Sequence, residues 1–249
     1  IAGSSWDEGD FEGSLHELAD HLKARQSFSN LLVRVEMVGT RRWWELSGTP
    51  IIDELGNYQG FRGVGSDVTE QRESSEKIEF LARYDTLTQL PNRRMLNEAL
   101  GEALAHADRW RSRCAFLMID LDRFKAINDT FGHGVGDHVL IAAADTIRDW
   151  CSRLSGSGDH QGFRLGGEEF LVLTRGLTET QVSDAAEALR ESLAAIGNQF
   201  ADHDGLNVSA SIGVAAWRFS EPLDDALLRS DEACYAAKDS GRNQVRRAV

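Results

Sequence analysis

The chain has 249 residues, 27 of them basic and 40 acidic, for a formal net charge of −13. That length suits one or two domains and is ample for a proper core. The charge argues against non-specific binding to nucleic acid or to anionic membrane, both of which call for basic surface. The acidity is spread over both halves rather than gathered in a tail. Cys114, Cys151 and Cys234 match no metal spacing and read as buried thiols of a reducing compartment. No run of about 18 apolar residues and no signal-like start is present, so the chain reads as soluble. It opens at Ile1 rather than at a methionine, which is expected of a fragment and leaves a membrane segment or domain upstream open.

In chain order, residues 15–22 read as a short helix, followed by strands over 28–38 and 42–52 rich in β-branched and aromatic residues. Asp53-Glu54-Leu55-Gly56-Asn57 makes a turn, and residues 58–68 form a third strand. Trp43 and Trp44 fall on opposite faces of their strand, so at most one of them lines a pocket. Residues 70–84 are polar, with Ile78, Leu81 and Ala82 at helical spacing. That narrow stripe suits either a spacer helix or a parallel dimer that passes a twist along the chain.

Beyond it the pattern predicts a helix near 92–109, a strand over 114–121, and helices over 124–131 and 136–153. A hairpin over 162–175, a helix over 179–197, a strand over 207–217, a helix over 222–240 and a strand over 243–248 complete it. Mixed order with hairpins points to an α+β sheet layered with helices rather than to an uninterrupted parallel sheet.

The most informative segment is Arg164-Leu165-Gly166-Gly167-Glu168-Glu169-Phe170. Two glycines between apolar flanks predict a hairpin whose turn needs positive φ. Two carboxylates, Glu168 and Glu169, come just past that turn. Asp120-Leu121-Asp122 ends the apolar strand that begins at Cys114. Acids at a strand end beside a hairpin tip suit divalent cations over a phosphate ester. Taken alone, an exposed Glu-Glu pair is usually just solvated surface.

Other blocks decide between those readings. Asp85-Thr86-Leu87-Thr88 and Pro91-Asn92-Arg93 come first, then Asp120-Leu121-Asp122-Arg123-Phe124-Lys125 with Asn128, then Phe131-Gly132-His133-Gly134-Val135-Gly136-Asp137. Ser211-Ile212-Gly213-Val214 and Lys238-Asp239-Ser240-Gly241-Arg242-Asn243 follow the hairpin. In this order, over residues 85–249, they closely resemble the GGDEF family of diguanylate cyclases, with Glu in the variable acidic position. The resemblance implies a palm-like nucleotidyl-cyclase core, a central and mainly antiparallel sheet with flanking helices. Ahead of it, Gly48-Thr49-Pro50 and the closing Asp67-Val68-Thr69-Glu70 resemble the C-terminal part of a PAS sensory domain. The organisation expected is therefore a partial PAS-like antiparallel sheet over 1–70, a linker helix over 71–84 and the cyclase domain over 85–249.

The resemblance implies condensation of two GTP to cyclic di-GMP and two pyrophosphates by a homodimer with one GTP per half-site. It gives Asp120, Glu168 and the Leu121 carbonyl to Mg²⁺, two ions in each half-site, with Mn²⁺ as a substitute. Such ions sit about 3.5–4 Å apart, one activating the attacking hydroxyl and the other steadying pyrophosphate. Glu168 also takes the proton of the 3′-hydroxyl, and Glu169 is a supporting acid. Gly166 and Gly167 keep side chains away from the nucleotide, so a bulky residue at Gly167 should cost activity before stability.

Lys125, Lys238 and Arg242 are assigned to phosphate by the same resemblance, although cations at helix ends are common for dipole reasons alone. Asn128 and Asp137 match the positions that contact guanine, whose N1 and N2 hydrogens a carboxylate accepts and adenine cannot supply. Asp122 reads as a structural hydrogen-bonding acid, Asp85 and Asn92 as organisers of the domain entrance, and His133 as part of a glycine-flanked turn. Many family members place an Arg-x-x-Asp motif for inhibitory product before the glycines; here Ser157-Gly158-Asp159-His160 stand there. Weak or absent product inhibition follows.

The partners expected are GTP, a second copy of the chain, and a PAS ligand that the residues do not identify. The location expected is cytoplasmic, either free or as the soluble part of a membrane-attached protein. A catalytically silent GTP-binding regulator is the alternative, which a complete hairpin disfavours.

Overall fold

The computed structural model describes residues 15–37, 39–110, 114–154, 160–218 and 221–248. The chain divides into two compact units, residues 1–80 and 81–249.

The first unit holds helix α1 (Leu15–Ala24) and strands β1 (Phe28–Met37), β2 (Thr40–Ile52) and β3 (Tyr58–Asp67). They form an antiparallel three-stranded sheet in the order β1-β2-β3. Asp53 closes the β2–β3 turn by accepting from the Leu55 and Asn57 amides at 3.0 and 2.8 Å. Helix α2 (Thr69–Arg83) starts from Asp67, whose Oδ1 accepts from the Thr69 amide and hydroxyl at 3.0 and 2.5 Å. The Thr69 hydroxyl in turn accepts from the Trp43 amide at 2.8 Å. The Asp-Val-Thr-Glu segment thus ties the helix start to the middle strand. Further along α2, Ile78 is 67 % exposed. Trp43 and Trp44 are both half-buried, and the Arg72 guanidinium lies 4.4 Å from the Trp43 ring centroid.

The second unit begins with α3 (Arg93–Trp110), β4 (Cys114–Leu121), α4 (Phe124–Phe131) and α5 (His133–Arg153). It continues through β5 (Gln161–Gly166), β6 (Glu169–Arg175), α6 (Glu179–Ala194), β7 (Ala210–Ala216), α7 (Leu223–Asp239) and β8 (Val245–Arg247). The five-stranded sheet runs β5-β6-β4-β7-β8. All neighbours are antiparallel except β7 and β8, which are parallel. This is a mixed helix-and-sheet fold with a central, mainly antiparallel sheet and flanking helices.

Both faces of the sheet are covered, which explains why β4 reads as an almost continuous apolar run. Leu117, Ile119 and Leu121 pack with Phe170, Val172 and the buried sides of α4, α5 and α6. Phe116 points the other way, into a cluster with Phe163, Leu171, Leu173, Leu96 and Ala226. Alternation along β4 therefore places Asp120 on the Phe116 side.

Four local readings need correction. Glu168 lies within the hairpin turn, not past it, and Glu169 opens β6; a register shift between Arg164 and Gly166 lets the ladder restart at Gly166 opposite Glu169. Helix α5 begins at His133 rather than near 136, so His133 is helical and only Gly132 separates α4 from α5. Gly134 and Gly136 sit inside that helix. Gly136 has a packing reason, since a Cβ there would overlap Asn128 Oδ1. Helix α6 stops at Ala194 and gives way to a 3-10 turn over Ala195–Phe200, which contains the weak helix formers Gly197 and Asn198. Strand β7 begins only at Ala210, because β4 ends at Leu121 and Ser209 bonds to Asp122 instead of a ladder partner.

Candidate active site

Asp120 stands one residue before the end of β4, opposite Glu169 on one side and Ser211 on the other. It is only 8 % exposed. Beside it, the Leu121 amide donates to the Glu168 carbonyl at 3.2 Å, which ties the hairpin turn to the strand end. Glu168 is half-buried and Glu169 exposed. Lys238, on the last turn of α7, places Nζ 2.6 Å from Asp120 Oδ2.

The electrostatics follow from this crowding. Burial pushes the Asp120 carboxyl above its ordinary value; Lys238 pulls it back, and the charges of Glu168 and Glu169 push it up again. Burial on its own would lower the Lys238 ammonium, but its hydrogen bond to Asp120 and that carboxylate's charge outweigh this and raise it. The two directions disagree about whether the pair is favourable to its acid. The raised Asp120 carries more weight, because burial acts on it first and the charges of Glu168 and Glu169 add to that effect.

The turn itself is fixed from outside the hairpin. Arg164 donates through Nε and Nη2 to the Gly167 carbonyl at 3.0 and 2.7 Å, and through Nη1 to Asp85 Oδ1 at 2.7 Å. Asp85 Oδ1 also accepts from the Thr88 amide and hydroxyl at 2.8 and 2.7 Å. Burial alone would raise the Asp85 carboxyl, yet the Thr88 and Arg164 bonds hold it below the usual range. Gly166 and Gly167 have φ of 151° and 51°, and a Cβ on either would meet no atom within 4 Å. Their backbone faces open space, as close approach by a nucleotide requires.

The remaining predicted residues come from α4, α5 and the turn after α7. Lys125 is exposed on the first turn of α4, after Arg123 in a left-handed conformation. Asn128 is half-buried against Gly136, and its Oδ1 is buried with no donor among the described residues. Asp137 is exposed on α5, next to Gly136. Arg242 is exposed in the turn after α7. Among the described residues no ion pair joins Lys125, Asp137 or Arg242 to the Asp120–Lys238 pair.

Asp122 is 5 % exposed and accepts from the hydroxyls of Ser209 and Ser211, both at 2.7 Å, and from the Asn243 amide at 2.9 Å. Of the positions before the glycines, Ser157, Gly158 and Asp159 lie outside the described residues. His160 Nδ1 accepts from the Arg175 amide at 3.3 Å. No group of three His, Cys, Asp or Glu with metal-site proximity occurs among the described residues.

Two features escaped the sequence reading. Arg164 was quoted only as part of the motif, and its partner Asp85 is 79 residues away. Lys238 was expected on phosphate, whereas here it meets the carboxylate expected on metal. Neither pairing leaves a local signal, because each joins segments that only the sheet brings together.

Comparison with known proteins gives these features a family. The model of the family described as "Diguanylate cyclase, GGDEF domain" matches residues 82–244. The chain is 40 % identical over 181 residues to the diguanylate cyclase DgcM of Escherichia coli, covering 72 % of this chain and 42 % of that protein. It is 36 % identical over 204 residues to a diguanylate cyclase of Vibrio cholerae, covering 78 % and 59 %. The chain thus spans less than two thirds of the length of these curated relatives.

Among solved structures, it resembles the coiled coil and GGDEF domain of DgcB from Caulobacter crescentus in complex with c-di-GMP. That likeness has a TM-score of 0.63 at 28 % identity and covers 73 % of this chain and 93 % of that one. SiaD of Pseudomonas aeruginosa, solved with its activator SiaC, gives a TM-score of 0.60 at 33 % identity and coverages of 72 % and 66 %. With the matched profile spanning well over half of its residues, the chain belongs to the GGDEF family of diguanylate cyclase domains.

Proposed function

We propose that this chain condenses two GTP into cyclic di-GMP and two pyrophosphates as a homodimer, each subunit holding one GTP. The observation that carries the reading is the buried Asp120 carboxylate at the end of β4, paired with Lys238 and tied through the Leu121 amide to the hairpin turn that carries Glu168. Hard oxygen donors of this kind suit Mg²⁺, which takes one or two carboxylates and keeps several waters. Asp120, Glu168 and the Leu121 carbonyl would hold it, two ions to each half-site, with Mn²⁺ as a substitute. The ions, when bound, screen the triphosphate and acidify the attacking hydroxyl.

The protein's own groups do the rest. Glu168 accepts the proton of the 3′-hydroxyl, and Glu169 keeps the local field negative. Asn128 and Asp137 select guanine, Asp137 from its exposed place on α5 next to Gly136. Lys125, Lys238 and Arg242 neutralise the triphosphate, with Lys238 dividing its charge between phosphate and Asp120. Gly166 and Gly167 leave the backbone open to the nucleotide. The hydroxyl of one subunit attacks the α-phosphate held by the other, so an isolated subunit binds GTP and turns nothing over. The N-terminal sheet is the PAS-like sensory part, and α2 transmits its state to the pairing of the two half-sites. A soluble nucleotide substrate places the reaction in the cytoplasm.

Product analysis with GTP and Mg²⁺ at low and high protein concentration tests this. Cyclic di-GMP should rise more than linearly with protein and vanish in Glu168→Gln. GTP bound without product at every concentration sinks the cyclase and leaves a silent regulator.

A further inference from the structure

The turn after α7 carries three consecutive residues at positive φ: Gly241 at 114°, Arg242 at 67° and Asn243 at 44°. Two of them are not glycine. Such backbone persists only where its surroundings over-determine it. Part of the restraint is local, since the Arg242 amide and Gln244 Nε2 both donate to the Ala237 carbonyl at 3.0 Å.

The rest comes from elsewhere in the fold and converges on Asn243. Its amide donates to Asp122 Oδ2 at 2.9 Å, and its Oδ1 accepts from Arg190 Nη1 at 2.7 Å. Asp122 cannot swing, because Ser209 and Ser211 donate to its two oxygens from the β7 side. Arg190, on α6, is only 15 % exposed and is held by Glu187 at 2.6 Å and Glu191 at 3.8 Å. The end of β4 and the middle of α6 therefore grip one residue from two sides, and its neighbour is Arg242.

We infer that Asp122 and Arg190 are positioning residues for the nucleoside triphosphate: together they clamp Asn243 and so hold the left-handed Arg242 from which the guanidinium meets phosphate. The inference rests on the reading of Arg242 as a phosphate contact. Releasing the clamp lets Arg242 relax to negative φ and withdraws its charge from the polyphosphate. Asn128 and Asp137 lie on α4 and α5, so recognition of guanine is untouched. The defect is selective for phosphates beyond the first.

Equilibrium binding to the full chain tests this with two probes, 3′-deoxy-GTP with Mg²⁺, which cannot cyclise, and GMP. Arg242→Ala, Arg190→Met and Asn243→Ala should each weaken 3′-deoxy-GTP about tenfold and leave GMP within about twofold. Arg190→Met combined with Arg242→Ala should bind no more weakly than Arg242→Ala alone, since both remove one contact. Arg247→Met, which removes the exposed pair between Arg247 on β8 and Glu179 on α6, should bind like the parent. Asp122→Asn is informative where its melting transition survives; Arg190→Met, which keeps the apolar stem of a partly buried side chain, carries the test in either case.

Arg190→Met binding normally while Arg242→Ala is weakened overturns the clamp and spares the site. So do losses that multiply, or an equal loss for GMP. A parent chain that ignores 3′-deoxy-GTP, or an Arg242→Ala that binds it unchanged, removes the reading of the site and the clamp with it.

Discussion

Arg164 directs its donors to two neighbours, the Gly167 carbonyl inside the turn and the Asp85 carboxylate before α3. Its side chain is 9 % exposed and that of Asp85 26 %, so the contact is only partly screened by solvent. Asp85→Asn should lower stability at neutral pH by about 1–3 kcal/mol, the range for a buried polar group left unsatisfied. The pH dependence has a definite sign. The folded Asp85 carboxyl lies below its ordinary value of 3.8, so its stabilisation is complete above that value. It fades as pH falls through the lower folded value. Urea midpoints of the parent and Asp85→Asn should therefore differ at pH 7 and converge in acid; a gap that widens as the pH falls, or that stays constant throughout the acid range, refutes the assignment. The same variant should also lose product formation beyond its loss of folded protein, because the turn that carries Glu168 is no longer pinned.

At the scale of elements, glycine serves opposite ends in β7 and in the hairpin. Gly213 lies on buried β7, and a Cβ there would overlap the Ser230 carbonyl and the Cys234 amide nitrogen of α7. That is helix backbone pressed onto strand, with no flexible side chain to yield. Gly213→Ala should cost about 3 kcal/mol by forcing α7 off the sheet, near the upper end of overpacking effects. Its residual activity should track the folded fraction. Gly167→Leu meets no neighbour but must keep a left-handed backbone at φ 51°, a cost of about 1–2 kcal/mol. It should melt well above Gly213→Ala yet make no cyclic di-GMP, because its side chain fills the space over the turn. Melting curves beside product assays separate the two; equal melting temperatures would show that the α7–β7 contact is not tight.

For the molecule as a whole, the proposed cyclase is expected to lack control by its product through the positions before the glycines. Ser157 and His160 stand where an arginine and an aspartate serve many relatives, so added cyclic di-GMP should leave the initial rate unchanged. Introducing both missing residues, Ser157→Arg with His160→Asp, should make the rate fall with added product. Inhibition of the parent chain would point to a different product site. No helix among the described residues is long and apolar enough to cross a membrane.

Much of this was legible in the sequence. Periodicity located the strand from Cys114 to Leu121 and the helix from Phe124 to Phe131, because both are buried on a regular face and bounded by turn residues. The motif order alone identified the family and the residues to suspect. What a linear reading lacks is register and long-range approach. A one-residue shift beside Gly166 moved Glu168 into the turn, and α5 begins at His133 where a turn was expected. Asp122 meets Asn243 across 121 residues, and Arg164 meets Asp85 across 79. Hydrophobic spacing specifies which face of each element is buried, because that depends on near neighbours alone. Which polar groups then meet at the ends of those elements depends on how the sheet aligns them, and only the tertiary structure decides it.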